Sequence, residues 1–213
     1  KAVNFILNNN DYLITENNSA IMLPEELPKS KLIAIPTTLG SGSEASNSAV
    51  LIDSDNNYKF PLVCHSFLPE ITILDPKLTS SLSDILLIST VMDALTHSIE
   101  SYCSRLANPF SKEYAKLAGR IIFSELDNLL ADPDNLHSRL RLQPAAYFAG
   151  LSQNMTSVGA THAVTHAAEV HLGVGHGLSN AIFLPKVIKL NAQESDSPDC
   201  YAKSIGAVSH LQL

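Results

Sequence analysis

The sequence carries two histidine-bearing segments, Asp93-Ala-Leu-Thr-His97 and His162-Ala-Val-Thr-His166, and a later His176-Gly177 pair. Within each segment, two side chains that can bind a metal ion are four residues apart, which places both on one face of an α-helix. A carboxylate with two or three neutral imidazoles suits a borderline divalent ion such as Fe²⁺ or Zn²⁺. We therefore predict that the two helices face each other and hold one ion. The four predicted ligands are Asp93, His97, His162 and His176.

The residue that follows His162 limits the chemistry expected of such an ion. A zinc peptidase of the His-Glu-x-x-His type needs a glutamate there as its general base, and this chain has Ala163. Hydrolysis is therefore disfavoured, whereas an ion that polarises an alcohol or carbonyl oxygen suits hydride transfer. His166 is one turn from His162 and is compatible with two roles, a catalytic proton carrier or a hydrogen-bonding partner behind the ligands.

The order of apolar runs predicts an α/β part followed by an all-α helical part. Residues 1–8 are predicted as the end of a helix, and short apolar runs at 32–35, 49–52 and 71–74 as strands, the first of them buried. Beyond residue 79 the apolar residues recur at helical spacing. The predicted helices cover 84–105, 111–131, 135–152, 156–172, 177–192 and 199–210. Ser111 is the expected N-cap of the second, and Pro144 should start, kink or split the third. We place the domains at 1–78 and 79–213.

Composition and charge restrict the classes of partner. A net charge of −7 argues against nucleic acid or an anionic membrane surface. No apolar run approaches the roughly 18 residues of a membrane span. The cysteines Cys64, Cys103 and Cys200 are scattered and odd in number, which favours a reducing cytoplasm over a disulfide framework. Only 16% of the residues are charged, which predicts a large buried share, such as the interface of a homodimer or larger homo-oligomer.

A glycine- and serine-rich stretch follows the first predicted strand. Its backbone N–H and hydroxyl groups could line a nucleotide, and residues 40–45 match Gly-x-Gly-x-x-Ala. The acidic ribose-binding residue expected about 20 positions later is missing, because Asp53 and Asp55 come too early. Taken as an isolated motif, the stretch is more typical of a flexible loop. Lys59 could supply a positive charge to a cofactor, although a solvated surface lysine is the more usual interpretation.

Five motifs, in this order and spacing, resemble the iron-containing (group III) alcohol dehydrogenases. They are Ile35–Glu44, Ile73–Thr79, Met92–Glu100, Gly159–His166 and Gly175–Ala181. The resemblance implies a dehydroquinate-synthase-like architecture, in which an N-terminal nucleotide-binding α/β domain and a C-terminal helical metal-binding domain enclose the active site. It implies an NAD- or NADP-dependent oxidoreductase whose small-molecule substrate is an alcohol, a polyol, an aldehyde or a sugar derivative.

The resemblance also implies roles for individual residues. Asp93, His97, His162 and His176 match the family's metal ligands, and His166 matches an active-site histidine near the nicotinamide. Five residues fall where members contact NAD(P): Thr37, Thr38, Ser41, Val50 and Lys59.

Two departures from the family pattern bear on function. The pyrophosphate-binding Gly-Gly-Gly-Ser stretch would precede Lys1, so the chain is expected to be a piece of a longer polypeptide. Where members have an aromatic residue and then Asn in the helix that lines the substrate pocket, this chain has Leu151-Ser-Gln-Asn-Met155. This more polar wall favours a polyol or sugar-like substrate.

Two alternative functions stay open: a dehydroquinate-synthase-like lyase, and a non-catalytic helical module that a metal stabilises.

Overall fold

The computed structural model describes residues 21–23, 30–53, 58–194 and 199–205. The expected helix end at 1–8 and the expected helix beyond 205 lie outside these residues. The strands are β1 (Ile21–Met22), β2 (Ile33–Ala34), β3 (Ser48–Asp53), β4 (Tyr58–Val63) and β5 (Ile71–Thr72). The α-helices are α1 (Asp84–Cys103), α2 (Pro109–Ala131), α3 (Leu136–Thr156), α4 (Ala160–Leu172), α5 (His176–Glu194) and α6 (Cys200–Ser204). An α/β part thus precedes a helical part, as predicted.

The strands form two small sheets. β3 and β4 pair antiparallel and β1 adds parallel to β4, whereas β2 and β5 form a separate parallel pair. The three predicted strands correspond to β2, β3 and β5, but the expected burial of the first is wrong, because Ile33 in β2 is 53% exposed. Strand β4 was not predicted because Lys59 and Pro61 interrupt its apolar run, and proline is normally confined to edges and strand ends. Here Pro61 pairs with Val50 across the antiparallel ladder.

Helix α1 lies at the centre of the helical part. It packs against α2, α3 and α5, and its residues from Asp93 to Ile99 are buried without interruption. Leu87, Val91 and Leu95 bring it into the main hydrophobic core. A helix that is buried all round must satisfy each polar side chain internally, because burying an unpaired polar group is unfavourable. Asp93 and His97 therefore need partners from the neighbouring helices.

Two details of the helix boundaries differ from the prediction. Asn108, not Ser111, caps α2: its side chain accepts hydrogen bonds from Phe110 N and Ser111 N. Ser111 completes a capping box by accepting from Asn108 N, so the serine was recognised as a capping residue but placed three positions too late. Pro144 lies inside α3, which runs from Leu136 to Thr156 without a break.

The interpretation of the cysteines as unpaired is wrong for two of them. Cys103 at the end of α1 and Cys200 at the start of α6 form a disulfide with a Cα–Cα distance of 5.7 Å, whereas Cys64 is free and buried. The partners are 97 residues apart, so only the fold brings them together. Among the helices of the described ranges, none is both long and apolar enough to span a membrane.

Candidate metal centre

Three helices place the three predicted histidine ligands around one carboxylate oxygen, Oδ1 of Asp93. Helix α1 supplies Asp93 and His97, α4 supplies His162, and α5 supplies His176. The Oδ1 atom of Asp93 lies 3.6 Å from His97 Nε2, 3.5 Å from His162 Nε2 and 3.4 Å from His176 Nε2. The same ring nitrogen of every histidine therefore faces the same carboxylate oxygen.

These separations fit a tetrahedral divalent ion. Ligand atoms about 2.1 Å from such an ion lie about 3.4 Å from one another. Asp93, His162 and His176 each offer one ligand atom, and these atoms lie within 4.8 Å of one another. His97, the fourth predicted ligand, lies outside this group of three, although its ring stacks on that of His162 with centroids 4.7 Å apart. The donor set of one carboxylate and up to three imidazoles suits Fe²⁺ or Zn²⁺.

A close approach of two helix backbones places His176 beside α1. A Cβ atom on Gly177 would lie 2.1 Å from the backbone oxygen of Ser89, well inside van der Waals contact. Only glycine allows α5 to come this close, because any other residue would place its Cβ against that carbonyl. The glycine after His176 therefore sets the position of the histidine relative to Asp93.

Glu100 lies directly behind His162. Its Oε2 is 2.6 Å from His162 Nδ1, and its two carboxylate oxygens accept hydrogen bonds from Gly159 N and Thr161 N. The carboxylate thus fixes the ring of His162 and satisfies free N–H groups at the start of α4. Glu100 is seven residues after Asp93 on the same helix, so both carboxylates lie on one face, two turns apart.

Glu169 occupies the equivalent position behind His176. Its Oε2 is 3.1 Å from His176 Nδ1 and 2.5 Å from Lys59 Nζ, which comes from β4. One carboxylate oxygen thus links the α/β part to a histidine of the cluster. Lys59 forms this ion pair with its side chain only 11% exposed, so it is not a solvated surface lysine.

Asn180 is a buried residue of the site that the sequence analysis missed. Its Nδ2 donates to Asp93 Oδ1 at 2.7 Å and lies 3.3 Å from His162 Nε2. It follows His176 by one helical turn on α5, a spacing of four that places both on the same face. The amide therefore holds the Asp93 carboxylate in place from the side of α5.

The charges of the cluster favour an ionised Asp93 carboxylate among the histidine rings. Burial tends to raise the pKa of Asp93, but His97, His162 and His176 lower it well below its ordinary value. Burial lowers the pKa of His97 to about 4, which keeps its ring neutral. Burial also opposes a charge on His162, yet its hydrogen bonds to Asp93 and Glu100 raise its pKa to about 9. The carboxylates supply a local negative charge that a divalent cation would neutralise.

The cluster opens on one side into a cleft of about 840 Å³. His176 is the exposed member, with 29% of its side chain accessible, compared with 2% for His162. His166 also lines the cleft, with its ring centroid 5.5 Å from that of His176. Burial, followed by the electrostatic effect of the neighbouring His176 and Lys59, lowers the pKa of His166 to about 4.

Some of the predicted cofactor-binding residues line the cleft, and others do not. Ser41, Val50 and Lys59 line it, together with the polar Gln153 and Asn154 of α3. Asn154 Oδ1 accepts a hydrogen bond from Asn47 N at 2.8 Å, which joins α3 to the α/β part. Thr37 and Thr38, by contrast, lie outside the residues that form the wall of this cleft.

The glycines of the Gly-x-Gly-x-x-Ala stretch have a packing role. A Cβ on Gly40 would meet the backbone of Thr90 on α1, at 2.0 Å from its oxygen. Gly42 has a φ of 55° and packs against Gly150 of α3, where a Cβ would lie 2.5 Å from Gly150 Cα. The loop is therefore fixed against two helices, and the flexible-loop interpretation is wrong.

Two family profiles together match most of the chain. One, described as "Iron-containing alcohol dehydrogenase", matches residues 1–76. The other, described as "Fe-containing alcohol dehydrogenase family, C-terminal", matches residues 87–208, which include all four residues of the cluster. The chain belongs to the iron-containing alcohol dehydrogenase family. This membership confirms the resemblance inferred from the five motifs.

The chain is also similar in sequence and structure to individual iron-containing alcohol dehydrogenases. A 1-propanol dehydrogenase of Citrobacter freundii is 35% identical over 171 residues, which are 80% of this chain and 46% of that protein. An NAD-dependent methanol dehydrogenase of Bacillus methanolicus is 32% identical over 166 residues, 78% of this chain and 44% of that protein. The crystal structure of a 1,3-propanediol oxidoreductase superimposes with a TM-score of 0.85 at 30% identity, covering 95% of this chain and 53% of the other. The chain thus spans about half the length of these relatives.

Proposed function

We propose that the protein is a metal-dependent oxidoreductase that transfers a hydride between a small alcohol or aldehyde and NAD or NADP. The observation that carries the proposal is the convergence of three Nε2 atoms on Asp93 Oδ1 at 3.4–3.6 Å, at the edge of an open cleft. Family membership supports the reaction class, since the named relatives are alcohol dehydrogenases.

In this proposal, some residues of the cluster bind the ion and others orient the residues that bind it. Asp93, His97, His162 and His176 would hold the ion, which would polarise the substrate oxygen as a Lewis acid. Glu100 fixes the ring of His162, and Asn180 fixes the carboxylate of Asp93. The nicotinamide would take up or give the hydride from the cleft side, where Ser41, Val50 and Lys59 lie. Thr37 and Thr38 stay proposed cofactor contacts on the resemblance alone.

His166 is the proposed proton carrier. It lines the cleft beside His176, and its pKa of about 4 leaves the ring uncharged at neutral pH. A neutral imidazole can accept the proton that an alcohol loses on oxidation and return one during aldehyde reduction.

The walls of the cleft support a polar substrate. Gln153 and Asn154 of α3 line it together with Ser41, Ser46 and Ser48 from the α/β part. Amide and hydroxyl groups favour a diol, polyol or sugar-like molecule, because such a substrate offers more hydrogen-bonding groups to this wall than a simple alkanol does. An open cleft beside the cluster also favours an enzyme over a non-catalytic module, in which the ligand shell would be closed.

Four finer points belong to the same proposal. The native ion is Fe²⁺ or Zn²⁺, with iron supported by the family's name. NAD is supported over NADP by the NAD-dependent relative. A homodimer or larger homo-oligomer stays a prediction from the sequence. A cytoplasmic location likewise stays a prediction from the sequence.

A coupled assay on the complete natural polypeptide tests the reaction class. We expect NAD(P)H formation with a diol or sugar alcohol, loss of that activity after dialysis against a chelator, and its return with Fe²⁺ or Zn²⁺. A lyase of similar architecture would produce no net NAD(P)H from a plain alcohol. Full activity in protein shown by elemental analysis to be metal-free would contradict the proposal.

A further inference from the structure

We propose that Glu169 is a positioning residue that fixes His176 as a metal ligand by accepting a hydrogen bond from its Nδ1. This inference rests on the proposed metal site and adds a residue to which neither the sequence motifs nor the family match assigns a role. It also gives Lys59 a second function, as the group that holds the Glu169 carboxylate.

The geometry separates Glu169 from the ligands themselves. Its Oε2 lies 3.1 Å from His176 Nδ1, whereas the opposite nitrogen of that ring, Nε2, points to Asp93. With Nδ1 as the donor, the lone pair of His176 is on Nε2, the atom that faces the cluster. Glu169 therefore selects the tautomer that can bind an ion and sets the plane of the ring.

His176 needs such support more than the other histidines do. It is the most exposed member of the cluster, at 29% of its side chain, and it is the first residue of α5. His162 is fully enclosed, and Glu100 fixes its ring while also bonding to the backbone of α4. A partly exposed ring at the start of a helix keeps more rotamer freedom than an enclosed one. A single hydrogen bond to its outer nitrogen therefore restricts the ring of His176 more than it would restrict a buried ring.

Lys59 holds the carboxylate from the opposite side. Its Nζ is 2.5 Å from the same Oε2 atom, and the lysine side chain is only 11% exposed. Lys59 lies on β4 and Glu169 on α4, two elements that are in contact. The link therefore ties the orientation of a proposed metal ligand to the α/β part through Lys59, which also lines the cleft.

Two conservative variants separate positioning from charge. In Glu169→Gln the side chain keeps its length and an acceptor oxygen but loses its charge. In Glu169→Asp the charge stays, but the side chain is one methylene shorter and withdraws from Nδ1. Positioning predicts that the Gln variant binds metal better than the Asp variant, whereas a purely electrostatic role predicts the reverse order.

The measurement is a Co²⁺ titration of the metal-free full chain, followed by the visible absorption of the bound ion and by competition with a chelator. We expect about a tenfold weaker affinity for Glu169→Asp and a loss below about threefold for Glu169→Gln. The absorption bands should shift in the Asp variant, because the ligand field changes when His176 turns. Glu113→Asp, an exposed position on α2, is the matched control and should stay within about twofold of the parent.

Each remaining outcome counts against the inference. Equal affinities for all four proteins would show that Glu169 does not position His176. An Asp variant that binds more tightly than the Gln variant would show that only its charge matters. A parent chain that binds no Co²⁺ would overturn the metal site itself, and with it this inference. Stoichiometric binding by the parent with no effect at Glu169 would overturn this inference alone.

Discussion

The Gly177→Ala variant is expected to unfold at a lower temperature than the parent chain and to bind metal more weakly. The added Cβ would lie 2.1 Å from Ser89 O and 2.6 Å from Ser89 C, both backbone atoms of α1 that no side-chain rotation can move. Overpacking of this kind destabilises by about 1–3 kcal/mol. Because His176 directly precedes Gly177, a displacement of α5 also moves a proposed ligand away from Asp93.

Gly175→Ala is the matched control for this substitution. The same methyl group two residues earlier would meet no atom within 4 Å, and the site is exposed. Thermal unfolding and Co²⁺ affinity are measured on both variants in parallel. We expect the Gly175 variant to resemble the parent chain and the Gly177 variant to lose both stability and affinity. Indistinguishable behaviour of the two variants would contradict the close packing of α5 on α1.

The Asp93→Asn variant is expected to show the largest loss of metal affinity. Asp93 Oδ1 is the atom that all three Nε2 atoms approach within 3.6 Å, and Asp93 is the only acidic ligand in the predicted set. Asparagine keeps the size of the side chain and removes its negative charge. Outer hydrogen-bonding partners change affinity by about 10–100-fold, so loss of a charged ligand should exceed about 100-fold.

Asp127→Asn, an exposed position on α2, controls for the chemical change. Both variants are compared with the parent chain by elemental analysis after equilibration with Zn²⁺ and by circular dichroism. We expect the Asp93 variant to keep its helical spectrum and to contain little metal, while the Asp127 variant matches the parent. A full equivalent of tightly bound zinc in the Asp93 variant would remove this residue from the ligand set.

The sequence predicted the site best where the positions of two residues depend only on the periodicity of one α-helix. The spacing of four between Asp93 and His97 predicted that both side chains lie on one face of α1. In the structure, Asp93 on this face also lies beside His162 and His176. The same spacing rules would have identified Asn180, four residues after His176, and Glu100, seven after Asp93. Neither was predicted from the sequence, because both orient the proposed ligands and do not belong to the predicted ligand set.

Other features depend on contacts between remote segments and have no local signal. Glu169 precedes His176 by seven residues but lies on another helix, so no periodicity relates them. Its pairing with Lys59 spans 110 positions, and the disulfide joins cysteines 97 positions apart. The glycine-rich stretch matched a nucleotide-binding pattern, yet Gly40 and Gly42 are explained by close packing on α1 and α3. Tertiary contacts decide between such alternatives.

Anomalous diffraction from crystals of the chain grown with Zn²⁺, recorded at the zinc edge, tests directly whether these side chains bind one ion. A metal centre at this cluster predicts one strong peak per chain, about 2.0–2.2 Å from Asp93 Oδ1 and from Nε2 of His162 and His176. His97 Nε2 is expected to complete the set by a small movement of a ring that already lies 3.6 Å from Asp93 Oδ1. A zinc peak elsewhere on the chain, with none among these side chains, would contradict the assignment of the metal centre.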